Sequence, residues 1–262
     1  MIRRVAMLAA SLALAVSSYG RVNIPPWVRE AIPATIPAEK DADAIVLLDD
    51  TVVSVQPNRS LVMRFRRVVK ILNNDGRGYG VAQAWIDHDT TLRTMHAWSI
   101  DANGGEYEVR ERDAIETTPT DFELYTDARL KVLTIPASNP GSIVAYEIVL
   151  TDFPYLPQVQ WQFQEDAPVL VARFDLQMPV GWTYQTHWMN HEPVEPSGTT
   201  WTLRSIPSLT DEPRRPSAAA IAGRIGFQLL APGAKALTWS DIGKWFSGLA
   251  TPRATPTPQL QA

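Results

Sequence analysis

The feature that most constrains this chain is a repeated alternation of apolar and polar residues, broken every ten or so positions by Asn, Asp, Gly and Pro. From Leu61 to Leu72 one face carries Leu61, Met63, Phe65, Val69 and Ile71, while Arg64, Arg66 and Lys70 lie on the other. A period of two is the signature of a half-buried strand, because successive side chains point to opposite faces. Asn73-Asn74-Asp75-Gly76 then supplies turn chemistry, and Ala82 to Asp87 reads as the returning strand. Leu92, Thr94, His96, Trp98 and Ile100 alternate again, and Asp101 to Gly105 predicts a hairpin into Tyr107 and Val109. Further strands are predicted on Val144 to Leu150, Gln158 to Gln164, Leu170 to Met178, and around Trp201 and Leu203.

Short strands separated by turn residues predict an all-β fold: a mainly antiparallel β-sandwich that admits two stacked sandwich subdomains, divided near Asp166. One late segment breaks the pattern. Thr238-Trp239-Ser240-Asp241 reads as a capping box, and Trp239, Ile242, Trp245, Phe246 and Leu249 recur at helical spacing. This predicts one short C-terminal amphipathic helix, ending near Pro252, with an unstructured tail over 251–262. The stripe must be buried somewhere, on its own sheet or on a partner.

The N-terminus carries a different signal. Met1-Ile2-Arg3-Arg4 is positive, Val5 to Val16 is apolar or small except for Ser11, and Ser18 and Gly20 stand at −3 and −1 of a cut after Gly20. That is the three-part plan of a secretory signal peptide over 1–20, and it predicts a periplasmic or secreted protein. The apolar run falls short of the roughly 20 residues that a spanning helix needs. Residues 21–40, with Pro25, Pro26, Pro33 and Pro37, read as an extended arm leading into a domain over 41–250. With 0 Cys the chain has no disulfide, thiol nucleophile or thiolate metal site of its own. A formal charge of −4 and the lack of a basic tract argue against nucleic acid as a partner.

Candidate chemistry is sparse. His187 and His191 stand four apart, but on extended chain that spacing holds them too far apart to share a metal, and no acid lies between them. Asp87-His88-Asp89 reads as a turn or sheet end, since neighbours on a strand point apart. Asp127 and Arg129 share a strand face and are expected to form an ion pair or to touch a partner. No Gly-rich phosphate loop and no Gly-x-Ser-x-Gly elbow is present. Val159, Trp161 and Phe163 read as core, because the intervening Gln residues already give that strand a wet face. No cofactor is called for.

Several stretches together carry a family resemblance: Arg67 to Gly76, Ile86 to Asp89, Ala102 to Gly105, Tyr125 to Arg129, Ile135-Pro136 with Pro140 to Ser142, Phe163 to Pro168, Pro179 to Trp182 and Trp239 to Ile242. In this order they resemble the domain of unknown function 3857 family, an exported bacterial domain found in front of a transglutaminase-like domain. The resemblance covers about Asp41 to Leu249. It implies a β-sandwich-like accessory domain beside a papain-like Cys-His-Asp catalytic domain. This chain stops where that domain would begin and, without Cys, supplies none of its nucleophile chemistry. The expected function is a noncatalytic accessory or binding module with a peptide, a cell-envelope glycan or a transglutaminase-like domain as partner. Asp127, Arg129, Trp239, Trp245 and Phe246 are its expected interaction surface. The alternative is a cryptic hydrolase working through carboxylates and His.

Overall fold

The computed structural model describes residues 22–36, 42–118, 127–209 and 212–254. The expected signal peptide lies outside them, as do the end of the arm, Tyr125-Thr126 and the tail beyond 254. Along the described chain run α1 (Pro26–Glu30), β1 (Ala44–Val55), β2 (Leu61–Ile71), β3 (Val81–Ile86), β4 (Thr90–Ile100), β5 (Glu106–Arg110), β6 (Ile115–Thr117) and β7 (Arg129–Thr134). They are followed by β8 (Ile143–Asp152), β9 (Gln158–Gln162), β10 (Val169–Gln177), β11 (Thr183–Met189), β12 (Thr200–Ile206), α2 (Ala218–Ile221), β13 (Arg224–Leu230) and α3 (Trp239–Ala254). The fold is all-β, mainly antiparallel, with a short C-terminal helix.

The largest sheet has seven strands in the order β12-β10-β1-β2-β8-β4-β5, and two three-stranded sheets run β11-β13-β9 and β3-β7-β6. One core cluster joins the three. It takes Val53, Val69, Ile148 and Phe174 from the large sheet, Trp161 and Phe227 from one small sheet, and Ala84 and Leu133 from the other. Both small sheets therefore cover one face of the large one, as in a sandwich. Aromatic rings fill the thickest part: Phe174 stacks on Phe227 with centroids 4.7 Å apart, and Trp161 stacks on Phe174 at 5.4 Å.

The division considered near Asp166 is not a break between sheets. β10 follows that point and pairs in parallel with β1, with Asp50 opposite Arg173 and Val53 opposite Leu176. The chain after Asp166 thus completes the sheet begun before it.

Two further expectations are corrected. The turn after β2 does not make a hairpin. Asn73 Oδ1 accepts from the amides of Asp75 and Gly76 at 2.9 and 3.1 Å, and a 3-10 turn over Asp75–Gly80 carries the chain into another sheet, where β3 pairs with β7. Gly76 is required there: a Cβ on it would stand 2.1 Å from the Asp43 carbonyl oxygen. The proline-rich segment is also not simply extended. Pro26 opens α1, where its fixed φ suits a first helical position. Ile24 and Val28 bury themselves against Ile45, Leu47, Val68, Trp98 and Ala145 on the outer face of the large sheet. The hairpin at Asp101 does form. β4 pairs with β5, Gly104 adopts φ +86°, and Asp101 Oδ1 accepts from the Asn103 and Gly105 amides at 2.8 Å each.

Beyond the patch covered by this N-terminal segment, the outer face carries a row of polar residues. Register aligns Thr202, Arg173, Asp50, Arg66, Glu147, His96 and Arg110 in one row across the sheet. Opposite charges meet along it, with Arg173 Nε 2.5 Å from Asp50 and Arg66 Nε 2.6 Å from Glu147. Cross-strand pairs of this kind hold register as well as adding modest energy.

Candidate functional site

The residues expected to form an interaction surface fall in two places. The first is the loop between β3 and β4. Asp87 Oδ1 closes this loop by accepting from the amides of Asp89 and Thr90 at 2.9 and 2.7 Å. Asp127 accepts from the His88 amide at 3.0 Å, and Arg129 donates to the Ala128 carbonyl at 3.0 Å. The expected ion pair between Asp127 and Arg129 is thus replaced by backbone contacts, because Asp127 lies before the start of β7 and turns toward the loop. The Tyr155 hydroxyl hydrogen-bonds to Asp89, which raises the Tyr155 pKa, and the negative charges of Asp127 and Asp87 raise it further.

The second place is α3. Thr238 and Asp241 cap it reciprocally: the Thr238 amide donates to Asp241 Oδ2 at 2.9 Å, and the Asp241 amide to Thr238 Oγ1 at 3.2 Å. The helix passes the expected stop at Pro252 and runs to Ala254, with Arg253 Nη1 donating to the Leu249 carbonyl at 2.8 Å. A proline in the last turn costs one backbone donor, and a basic side chain can satisfy a free terminal carbonyl. No residue of α3 is buried. Trp239, Trp245, Phe246 and Leu249 are 88, 41, 63 and 43% exposed. The apolar stripe legible in the sequence therefore exists as a surface.

A groove of about 280 Å³ lies between Tyr155 and Leu237. Tyr155, beside the acidic loop, and Leu237, at the root of α3, both line it, and Val55, Leu61, Pro157 and Trp182 supply apolar walls.

Sequence reasoning missed a charged cluster on the core side of the large sheet. Arg67 on β2 donates through Nη1 to Asp49 Oδ2 of β1 at 3.0 Å and through Nη2 to Glu165. Burial pushes Asp49 up to about 6 even though Arg67 opposes the shift, and Glu165 and Asp50 add to it. Burial works against the Arg67 cation, but Tyr146, Asp49 and Glu165 outweigh it and raise its pKa. Tyr79 is pushed up to about 12, mainly by burial. The signal for this cluster was the apolar alternation of β2, which places Arg67 in phase with Phe65 and Val69.

The histidines occupy separate settings. His96 Nε2 lies 2.8 Å from Glu108, and its ring centroid lies 3.9 Å from that of Trp98. His187 stands on β11, and His191 lies beyond it with its ring edge-on to Phe163 at 5.0 Å. Among the described residues no group of three or more His, Asp or Glu is placed to hold a metal ion, and no helix is long and apolar enough to cross a membrane.

The model of the family described as Domain of Unknown Function with solved-structure structure (DUF3857) matches residues 57–210. The chain belongs to this family. The DUF3857 match takes in β2 through β12 and thus Arg67 and Glu165, while β1, β13 and α3 lie outside it. No curated protein matches the chain. Among solved structures, a candidate protease from Parabacteroides distasonis superposes with a TM-score of 0.59 at 16% identity, over 71% of this chain and 40% of that one. That likeness shows the fold, and this chain spans well under two thirds of the other's length. Yeast LTA4 hydrolase in complex with bestatin gives a TM-score of 0.33 at 11% identity, over 79% of this chain and 33% of that one. An M1 zinc metallopeptidase from Deinococcus radiodurans bound to a Tyr-Ser-Ala substrate gives 0.34 at 12% identity, over 79% and 53%.

Proposed function

We propose that this DUF3857 protein is an exported, noncatalytic accessory module that docks a transglutaminase-like domain through α3 and the groove at its root. The observation that carries the reading is the exposure of Trp239, Trp245, Phe246 and Leu249 on a capped helix with no buried residue. Exposed apolar patches of this kind mark interaction sites, and Trp is enriched at the energetic centres of interfaces. The groove extends the apolar surface toward Tyr155, and Arg59 and Lys235 in its lining favour a partner with acidic residues there. Export is supported by the positive, apolar and small-residue pattern over 1–20. A noncatalytic role is consistent with a chain of 0 Cys beside a partner whose chemistry uses a Cys nucleophile.

The test is titration calorimetry between this protein and a purified transglutaminase-like domain. Saturable binding that weakens at least about tenfold in both Trp245→Ala and Phe246→Ala is expected, since interface anchors of this type carry 2 kcal/mol or more. Absence of binding, or binding indifferent to both changes, would refute the proposal. Ester or peptide hydrolysis by the purified chain would favour the hydrolase alternative.

A further inference from the structure

The open part of the large sheet's outer face holds a groove of about 500 Å³ that no expected site includes. Its floor is apolar, made by Val52 of β1, Val62 of β2 and Val149 of β8. Its polar wall is built around Asp50, which is 1% exposed. Arg173 Nε donates to Asp50 Oδ1 at 2.5 Å, while Arg64 Nη2 stands 3.5 Å from Oδ2. Asp50 Oδ2 and Arg64 Nε are both buried without a hydrogen-bond partner. One carboxylate is thus set between two guanidinium groups, each with five donors in a planar fork.

The groove's other carboxylate is already engaged. Asp175 accepts from Thr199 Oγ1 at 2.6 Å, Thr200 Oγ1 at 3.0 Å and Gln177 Nε2 at 2.8 Å. Burial alone would raise its pKa, but these bonds win and hold it below the usual carboxylate range. Donors left over therefore belong to Arg64 and Arg173, and they face an apolar floor. Guanidinium forks match planar carboxylates, and the unpaired Arg64 Nε is a donor whose cost an accepting ligand can remove, whereas Asp50 Oδ2 is an acceptor that stays with the two guanidiniums.

We propose that this groove is a binding site for a small carboxylate ligand with an apolar body. Arg64 and Arg173 hold its carboxylate, Val52, Val62 and Val149 receive its apolar part, and Asp50 acts as a positioning residue that orients the two guanidiniums. The site lies on the outer sheet face and does not involve α3, so it stands independently of the docking proposal.

The experiment follows the methyl resonances of Val52, Val62 and Val149 while N-acetyl-L-leucine, N-acetyl-L-leucinamide or inorganic phosphate is added to the purified protein. Saturable shifts of these methyls with N-acetyl-L-leucine are expected, with affinity at least about tenfold weaker for the uncharged amide and for the bare oxyanion. Arg173→Gln should abolish the shifts, but it strands the buried Asp50 and can unfold the sheet. Ser54→Glu is the safer variant. Ser54 borders the groove, its hydroxyl donates to Gln177 Oε1 at 2.7 Å, and a carboxylate there should repel the ligand while leaving the melting temperature near that of wild type. Absence of saturable shifts, equal affinity for the amide or for phosphate, or full binding by a folded Ser54→Glu protein would overturn the assignment.

Discussion

Asp49 and Arg67 face each other across β1 and β2, 3.0 Å apart, on the side of the sheet turned toward the core. The pair is less than a quarter exposed, and Glu165 completes it from the segment before β10. A buried pair of this sort adds little compared with well-packed apolar residues, but breaking it leaves charge without compensation. Arg67→Met should therefore lower stability by about 3 kcal/mol, because Asp49 and Glu165 then share the site unpaired. Chemical denaturation at neutral pH checks this. A change below half that value would show that solvent, not Arg67, satisfies the two carboxylates.

The same pair has a pH signature. The folded-state pKa of Asp49 is raised from 3.8 to about 6, so the native protein binds this proton more tightly than the unfolded chain does. The contribution of Asp49 is most favourable below 3.8, falls as pH rises from 3.8 to about 6, and is constant above that. Asp101, Glu108 and Asp175 have the opposite sign: their pKa values are lowered, and their contribution is lost as pH falls further. Subtracting the stability curve of Asp49→Asn from that of wild type removes these shared terms. The difference should decline between 3.8 and about 6 and be flat above. A difference that is flat throughout would place the proton elsewhere.

Gly76 gives a third prediction. It lies where the chain leaves β2 for a different sheet, and a Cβ there would meet the Asp43 carbonyl oxygen at 2.1 Å. Backbone on both sides leaves no flexible group to yield. Gly76→Ala should cost about 1–3 kcal/mol, the usual range for overpacking, whereas Gly104→Ala should be limited to the strain of its positive φ. Thermal melts of the two variants compare them directly.

Much of the sheet was legible because β9 and β10 bury one face and leave the other wetter, and because β2, β4 and β8 bury both faces only over short stretches, such as Val68-Val69 and Val144-Ala145. β1 was not, for a physical reason. Its Ala44-Ile45-Val46-Leu47 run is buried on both faces, since α1 and its flanks cover the outer side, and a bulge between Val46 and Leu48 shifts the phase. The parallel pairing of β1 with β10 joins segments too distant in the chain for turn chemistry to announce. The same distance hid the charged row and the Asp50 groove, which exist only once Arg173 stands opposite Asp50. Of the expected surface residues, Trp239, Trp245 and Phe246 were readable from helical spacing alone, while Asp127 and Arg129 were read as an ion pair that loop geometry turns into two backbone contacts.

The tryptophans carry the last prediction. Trp161 and Trp245 are the same residue type in apolar-periodic segments, and periodicity cannot say which of them is core. The fold separates them. Trp161 is 4% exposed, stacked on Phe174 and tilted against Phe163 with centroids 5.3 Å apart. Its removal empties the middle of the sandwich, where neighbouring strands relax only partly, so Trp161→Ala should cost about 3–5 kcal/mol. Trp245 leaves little behind when truncated, because α3 buries none of its residues, and Trp245→Ala should change stability by less than about 1 kcal/mol. Measuring both by urea denaturation sets the scale internally. A Trp245→Ala cost comparable to that of Trp161→Ala would mean that α3 packs on the sandwich in solution, and the surface proposed for docking would not be free.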